Sequence, residues 1–240
     1  MKSLLLISLI SLFSILFAVE NKEITIASES WDGATNEDGT GLYWDIMKTV
    51  YEPLGYTIIK KHTSFKESEE MIRSGKADMY LGSYKDEQEF ALYPKYCFDQ
   101  DIIVAVVRTD AIDTWKGKKS LTGLKVGWLR GYHFDKYMGI ETRDEEFSNR
   151  NNAFKLLNRE HLDAFIDVRR LLRPYIVKKD VDMENLTQKI ILQLKVYPAF
   201  AKTKLGEELK NVWDKQMKRL IVTDEFKELY FISEYAQFPY

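Results

Sequence analysis

The chain has 240 residues, and its 35 Lys and Arg against 37 Asp and Glu give a formal net charge of -2. Hydrophobic residues make up 45% and charged residues 30%, as in an ordinary globular protein, which excludes a disordered or collagen-like chain. The near-neutral charge argues against a dedicated nucleic-acid-binding protein. Cys97 is the single cysteine, so the chain cannot form an internal disulfide or a cysteine-rich zinc site.

The N-terminus has the pattern of a secretory signal peptide. Lys2 begins a short positive region, and Leu4 to Val19 is apolar apart from serines. This run is shorter than the roughly 20 residues that a membrane-spanning helix needs. We therefore predict a signal peptide over residues 1–18, cleaved after Ala18, and an exported, periplasmic protein. The alternative is an uncleaved N-terminal anchor.

Strands and helices alternate along the remaining chain, which predicts an α/β fold. The elements predicted in the first part are, in chain order, a strand at 24–28, a helix at 42–54, a strand at 56–62, a helix at 65–74, and strands at 77–84 and 102–108. After a polar stretch, the predicted elements are a strand at 124–129, helices at 133–138 and 151–158, a strand at 162–168, and helices at 205–220 and 224–235. The two cycles share no visible sequence repeat.

Five short motifs follow one another along the chain. They are Gly41-Leu-Tyr-Trp-Asp-Ile46, Glu70-Met-Ile-Arg-Ser-Gly-Lys-Ala-Asp78, Leu121-Thr-Gly-Leu-Lys-Val-Gly127 followed by Arg130-Gly131, Leu157-Asn-Arg-Glu-His-Leu-Asp-Ala-Phe-Ile-Asp167, and Tyr197-Pro-Ala-Phe-Ala-Lys202. In this order, behind a signal peptide, they resemble the motifs of the type II periplasmic solute-binding proteins. The branch they resemble mostly binds amino acids for ABC importers, and the resemblance covers nearly the whole mature chain.

This resemblance implies two α/β lobes joined by two crossover segments, with the ligand cleft between the lobes. Lobe 1 would comprise residues 19–108 and 197–240, and lobe 2 residues 109–196. The crossovers would lie near Arg108 and Val196, and hinge bending about them would close the cleft on a ligand.

One family feature is missing from the sequence. In the amino-acid binders, an Arg after the strand that matches 77–84 holds the ligand carboxylate by two parallel hydrogen bonds. Here the segment from Ser83 to Pro94 contains no Arg, and Lys85 is followed at once by two carboxylates. The candidate replacement is Arg130, at the turn into a predicted helix, where exposed N–H groups also favour an anion. The alternative is an Arg solvated at a lobe edge.

The resemblance also implies a set of ligand contacts. Trp31 follows the first strand, where family members place an aromatic ring against the ligand, and Tyr84 ends the third strand. Asp167 matches the family carboxylate that receives a ligand ammonium, with capping of a helix near Arg169 as its alternative role. The predicted ligand-binding residues are Trp31, Tyr84, Arg130, Gly131, Tyr132 and Asp167.

These inferences predict a monomeric, exported solute-binding protein that captures a small polar ligand, an amino acid or related metabolite, and delivers it to an ABC transporter permease. No cofactor, metal or nucleic acid is expected. An enzyme is not expected either, because His62, His133 and His161 are scattered and no H-E-x-x-H or phosphate-binding loop occurs. Two alternatives remain: a ligand sensor that acts through a membrane receptor, and an enzyme on the same scaffold, as in the similar cyclohexadienyl dehydratases.

Overall fold

The computed structural model describes residues 22–112, 114–177, 182–233 and 235–240. The predicted signal peptide and its cleavage site lie outside these residues. In the described part of the chain, every helix is too short or too polar to traverse a lipid bilayer.

The structure confirms the α/β fold, and each predicted element is present with bounds within about three residues. The strands are β1 (Lys22–Ser28), β2 (Tyr56–His62), β3 (Met79–Tyr84), β4 (Ala91–Leu92), β5 (Asp99–Arg108), β6 (Lys125–Leu129), β7 (Arg143–Phe147), β8 (Ala164–Val168) and β9 (Leu186–Ala201). The helices are α1 (Leu42–Tyr51), α2 (Phe65–Arg73), α3 (Asp135–Met138), α4 (Arg150–Asn158), α5 (Arg169–Val177), α6 (Lys204–Leu220) and α7 (Asp224–Ser233). Strands β4 and β7 and the full length of β9 were not predicted.

The sheet consists of two halves with the same arrangement. Its order is β2-β1-β3-β9-β5-β8-β6-β7, with β4 paired to β9. In the β1 half, β1 is parallel to β2 and β3, and β3 is antiparallel to β9. In the β6 half, β6 is parallel to β7 and β8, and β8 is antiparallel to β5. The two cycles of the sequence are therefore alike in topology, although no sequence repeat shows it.

Strands β5 and β9 join the two halves. They pair with each other along β5, from Val196 at one end of the contact to Leu186 at the other. From Val196 onwards, β9 pairs with β3 and β4 of the β1 half. Strand β5 pairs with β8 of the β6 half over residues 103–107. The lobe boundaries near Arg108 and Val196 stay predictions.

Three of the helices begin after residues that suit a helix start. Ser64, Asn149 and Thr203 precede α2, α4 and α6, and each side chain accepts a hydrogen bond from a backbone N–H three residues on. Helices α1, α6 and α7 cover the β1 half, where Trp213 is fully buried and the Tyr51 hydroxyl donates to the Leu209 carbonyl. These contacts bring the C-terminal helices back onto the N-terminal half.

Candidate functional site

A small cavity lies where the two halves of the sheet meet. Six of its thirteen lining residues are aromatic, and they come from both halves: Trp31, Tyr43, Phe65, Tyr84, Tyr132 and Tyr235. Three charged residues, Glu87, Asp101 and Arg170, complete the polar part of the wall. The cavity has a volume of about 30 Å³, which is room for about two water molecules.

Trp31 is held in the cavity wall by a glycine. The tip of its indole ring lies on Gly82, where an added Cβ would stand 2.3 Å from the ring atom Cη2. Gly82 also has φ +92°, in the left-handed region, and it sits at a register shift in β3. The backbone of β3 therefore makes the space that Trp31 occupies.

Replacing Gly82 by alanine is expected to destabilise the protein by about 1–3 kcal/mol more than replacing Gly75. Gly75 has φ +72°, but an added Cβ there meets no atom within 4 Å. In both variants the alanine must adopt a positive φ, which strains the backbone, but only Gly82→Ala also displaces Trp31. Urea unfolding of the two variants measures the difference, and equal losses would show that the contact with Trp31 does not constrain this position.

A charged cluster forms one side of the cavity. Arg170, in the first turn of α5, donates from Nη2 to Asp99 Oδ2 at 2.7 Å and is ion-paired with Asp101. The Tyr43 hydroxyl donates to Asp99, and the Tyr84 hydroxyl donates to Asp101 at 2.9 Å. The cluster therefore joins α1 and β3 of the β1 half to α5 of the β6 half.

The two carboxyl groups of this cluster are almost fully buried, and they share one guanidinium. Burial raises the pKa of Asp99 to about 6, although the neighbouring Arg170 acts in the opposite direction. Burial likewise raises the pKa of Asp101, again opposed by Arg170. The cluster therefore holds a negative charge that its single cation does not fully offset.

A second charged cluster lies behind Tyr132. Arg150, at the start of α4, binds Asp167 with both Nε and Nη2, at 2.7 and 3.2 Å. Its Nη2 also donates to the Tyr132 hydroxyl at 3.4 Å. Burial raises the pKa of the nearby Glu29 carboxyl, which accepts a hydrogen bond from the backbone N–H of Phe65. Both carboxylate oxygens of Asp167 are thus hydrogen-bonded to Arg150.

Glu87 is a third buried carboxyl group. Its Oε2 accepts hydrogen bonds from the Ser83 hydroxyl at 2.8 Å and from the backbone N–H of Tyr84 at 3.1 Å. Burial raises the pKa of Glu87 to about 7, because desolvation outweighs these two hydrogen bonds. Close to neutral pH, this cavity-lining group therefore changes its charge.

Direct contacts hold the two halves together over the cavity. The Lys136 ammonium, from α3, donates to the backbone carbonyl of Glu87 at 3.1 Å. The rings of Phe65 and Tyr132 lie 5.9 Å apart, edge to face, and those of Tyr84 and Tyr137 lie 5.3 Å apart. These contacts join the β1 half to the β6 half beside the cavity.

The structure brings three of the predicted ligand-binding residues together. Trp31, Tyr84 and Tyr132 all line the cavity. Asp167 and Gly131 lie outside its lining: Asp167 is paired with Arg150, and Gly131, at φ +88°, forms the turn that faces the start of α2. Their roles as ligand contacts stay predictions.

The two cations considered as replacements for the family Arg also lie outside the lining. The Arg130 side chain is 67% exposed and stands 3.9 Å from Glu146, which fits the alternative of a solvated Arg. Lys85 donates to the Pro94 carbonyl. The Arg of the cavity is instead Arg170, which sequence reasoning did not single out, together with Asp99 and Asp101. The sequence feature that could have identified Arg170 is its position, shortly after Asp167 and the end of β8.

Several known structures resemble this one, although the sequence matches no protein-family profile and no curated protein. A substrate-binding protein of an ABC uptake transporter from Streptococcus pneumoniae, with bound histidine, has a TM-score of 0.63 at 16% identity, over 88% of this chain and 92% of that one. A putative L-cystine ABC transporter protein from Listeria monocytogenes has a TM-score of 0.64 at 16% identity, over 90% and 98%. A histidine kinase sensor domain with similarity to periplasmic binding proteins has a TM-score of 0.70 at 15% identity, over 91% and 99%.

These matches identify the fold of the chain. One of them is a substrate-binding protein of an ABC uptake transporter and another a putative ABC transporter protein, and both match almost end to end. The chain has the type II periplasmic binding protein fold, as its motifs predicted. At about one identical residue in six, the likeness extends to the fold and not to a particular ligand.

Proposed function

We propose that this chain is an exported solute-binding protein that encloses a small polar ligand between the two halves of its sheet. The observation that carries the proposal is the cavity itself, which is lined by side chains from both halves and by Asp101 of β5 and Val196 of β9, the two strands that connect the halves. Ligand sites of this fold class lie between domains, where closure buries most of the ligand surface.

The cavity has hydrogen-bonding capacity that the protein does not use. Within the described residues, the Trp31 Nε1 and Arg170 Nε atoms are buried and have no hydrogen-bond partner. Buried N–H groups without an acceptor cost about 1–3 kcal/mol each. Oxygen atoms of a ligand would satisfy these donors, which supports a polar ligand.

Binding requires the two halves to move apart. A pocket for a small organic molecule typically has about 300–1,000 Å³, roughly ten to thirty times the volume of this cavity. The proposed cycle is therefore opening, capture and closure, with the ligand adding contacts to both halves that favour the closed form. The crossover strands β5 and β9 are the segments about which the halves would rotate.

Denaturing mass spectrometry of the purified protein, combined with a thermal-shift panel, tests the proposal. A ligand at about 100 times its dissociation constant is expected to stabilise the folded protein by about 2.7 kcal/mol. Trp31→Ala should weaken binding of the identified ligand at least tenfold, about 1.4 kcal/mol, because it removes an aromatic wall of the cavity. Trp115→Ala, outside the cavity lining, is the matched control and should leave affinity unchanged.

The proposed partner is the permease of an ABC importer, as the solved substrate-binding proteins suggest. The sensor-domain match favours one alternative, a ligand sensor that acts through a membrane receptor. Uptake of labelled ligand by cells with and without this chain separates the two roles. Lost uptake supports import, whereas unchanged uptake with a lost transcriptional response supports sensing. Recovery of chemically unchanged ligand after incubation would support binding without catalysis.

A further inference from the structure

The exposed hydrophobic side chains of the protein are concentrated in two patches. Seven large hydrophobic residues are exposed in the described part of the chain, and six of them belong to one patch or the other. Val177, Ile190 and Tyr240 lie in the first patch, and Val222, Phe231 and Ile232 lie in the second. Single exposed hydrophobic residues are normal on a protein surface, whereas clusters of them mark interaction sites.

The first patch belongs to a groove of about 1,090 Å³ on the side of the crossover strands. Strands β5 and β9 contribute alternate residues to it, among them Ile102, Val104 and Ile190. Helix α5 and the C-terminal residues 235–240 complete the lining. The groove is therefore open surface with an apolar part, distinct from the small cavity, although Arg170 and Tyr235 line both.

The groove is basic. Three arginines line it, and none of its described lining residues is Asp or Glu. Arg170 is bound by two buried carboxylates, which offset its charge. Arg169 and Arg173 are exposed, and within the described residues neither forms an ion pair. They stand four residues apart and share one face of α5 with Val177. The groove thus presents two unpaired positive charges beside exposed apolar side chains.

The second patch is the outer face of α7, and it is acidic. Three carboxylates are exposed on this helix against one lysine, which is paired with Asp224. Glu225, Glu228 and Ile232 are three and four residues apart, so they share one face of the helix. Phe231 lies beside them with 84% of its surface exposed. This face therefore combines negative charge with large apolar side chains.

The groove and the α7 face are complementary, and they adjoin each other on the molecule. Helix α7 ends at Ser233, and the C-terminal part of the groove lining begins at Tyr235. One surface is apolar and positive, and the other is apolar and negative, which favours their association. When one chain carries two such surfaces side by side, two copies related by a two-fold axis can satisfy both at once.

We propose that the protein forms a two-fold symmetric dimer in which α7 of each copy lies in the groove of the other. The apolar residues of α7 then cover those of the groove, and Glu225 and Glu228 face the two free arginines. The occupant of the groove is thus a second copy of this chain. The proposal replaces the monomer predicted from the sequence, and it does not depend on the proposed function.

Sedimentation velocity of the full mature protein, over about a hundredfold range of concentration, tests the proposal. The parent protein is expected to dimerise as its concentration rises. Two double variants reverse the charge of one surface each: Arg169→Glu with Arg173→Glu, and Glu225→Lys with Glu228→Lys. Each places like charges opposite one another and should raise the dissociation constant at least tenfold. The four side chains are exposed, so the variants should fold, which circular dichroism checks. A parent protein that stays monomeric throughout overturns the proposal.

An equimolar mixture of the two double variants gives the sharpest test. In a mixed dimer the reversed groove meets the reversed helix, and at the second contact the native groove meets the native helix. Opposite charges therefore face each other at both contacts, and the mixture should dimerise about as tightly as the parent protein. A mixture that stays monomeric, or a single double variant that dimerises as well as the parent, shows that these two surfaces do not pair.

Two further variants separate the proposed contact from a general effect of charge. Phe231→Ser leaves the charge unchanged and should raise the dissociation constant at least tenfold, because it removes the most exposed apolar side chain of α7. Lys61→Glu with Lys76→Glu reverses two exposed lysines outside both surfaces and should dimerise like the parent protein. Unchanged dimerisation of Phe231→Ser, or loss of the dimer in the lysine variant, contradicts the proposed interface.

Discussion

Replacement of Arg150 by alanine is expected to lower the free energy of unfolding by about 3–5 kcal/mol. Asp167 has no exposed surface, and Arg150 supplies both of its charged hydrogen bonds. Removal of the guanidinium leaves a buried carboxylate with the Val168 backbone N–H as a partner but no cation beside it, which costs more than the lost attraction alone. Urea unfolding at neutral pH measures the loss.

Arg130→Ala is the matched control for this prediction. Arg130 is mostly exposed and lies at a long distance from its partner Glu146, so its removal should cost less than about 1 kcal/mol. A double variant, Arg150→Ala with Asp167→Asn, should recover part of the stability because the asparagine carries no charge. Equal losses for the Arg150 and Arg130 variants would mean that the buried pair does not contribute as proposed.

Glu87→Gln is expected to stabilise the protein at pH 8 and to leave its stability at pH 4.5 nearly unchanged. The pKa of Glu87 is raised from 4.5 to about 7, so between these values the folded state binds more protons than the unfolded state. Stability therefore falls as the pH rises through this window, by about 3 kcal/mol from this one group. The neutral glutamine does not titrate, so the variant should lack that contribution.

The groups around Glu87 determine which variant is a suitable control for this prediction. The charged neighbours that act on it are Glu69 and Lys136, and the hydroxyl groups near it belong to Ser83, Tyr80, Tyr84, Tyr93 and Tyr137. Glu89→Gln changes an exposed carboxyl group two residues away and should follow the parent protein at every pH. If the stability difference between Glu87→Gln and its parent did not change from pH 4.5 to pH 8, Glu87 would not titrate in this window.

Elements with a strong local pattern could be predicted from the sequence. Helix α1 has its apolar residues on one face, all buried in the structure, and β5 is a nearly continuous apolar run. Strand β7 reads Arg-Asp-Glu-Glu-Phe and lies at the edge of the sheet, where one face packs and polar residues are tolerated. Phe147 is the one buried residue of β7, so the sequence shows no alternation of apolar and polar residues there. The segment forms a strand because it pairs with β6, and not because of its composition.

The aromatic part of the candidate site could also be predicted. Trp31 and Tyr84 lie at or just after the ends of parallel strands, and such ends meet at one edge of the sheet. The charged part could not, because side chains from distant segments form it. Arg150 reaches Asp167 from the start of another element, and Arg170 reaches back to Asp99 and Asp101. Only the folded chain shows which arginine each buried carboxylate takes, and the exposed Arg130 is not among them.

The late position of β9 in the chain has a consequence for folding. Strand β9 is the antiparallel neighbour of both β3 and β5, so each of these strands lacks one of its two neighbours until residues 186–201 have been synthesised. Pairing of such distant segments slows folding, and we expect the contiguous part from β5 to β9 to assemble before the β1 half is completed. A chain cut short before β9 leaves one edge of β3 and one edge of β5 unpaired, and β5 is a ten-residue strand rich in valine and isoleucine, the kind of edge that templates aggregation.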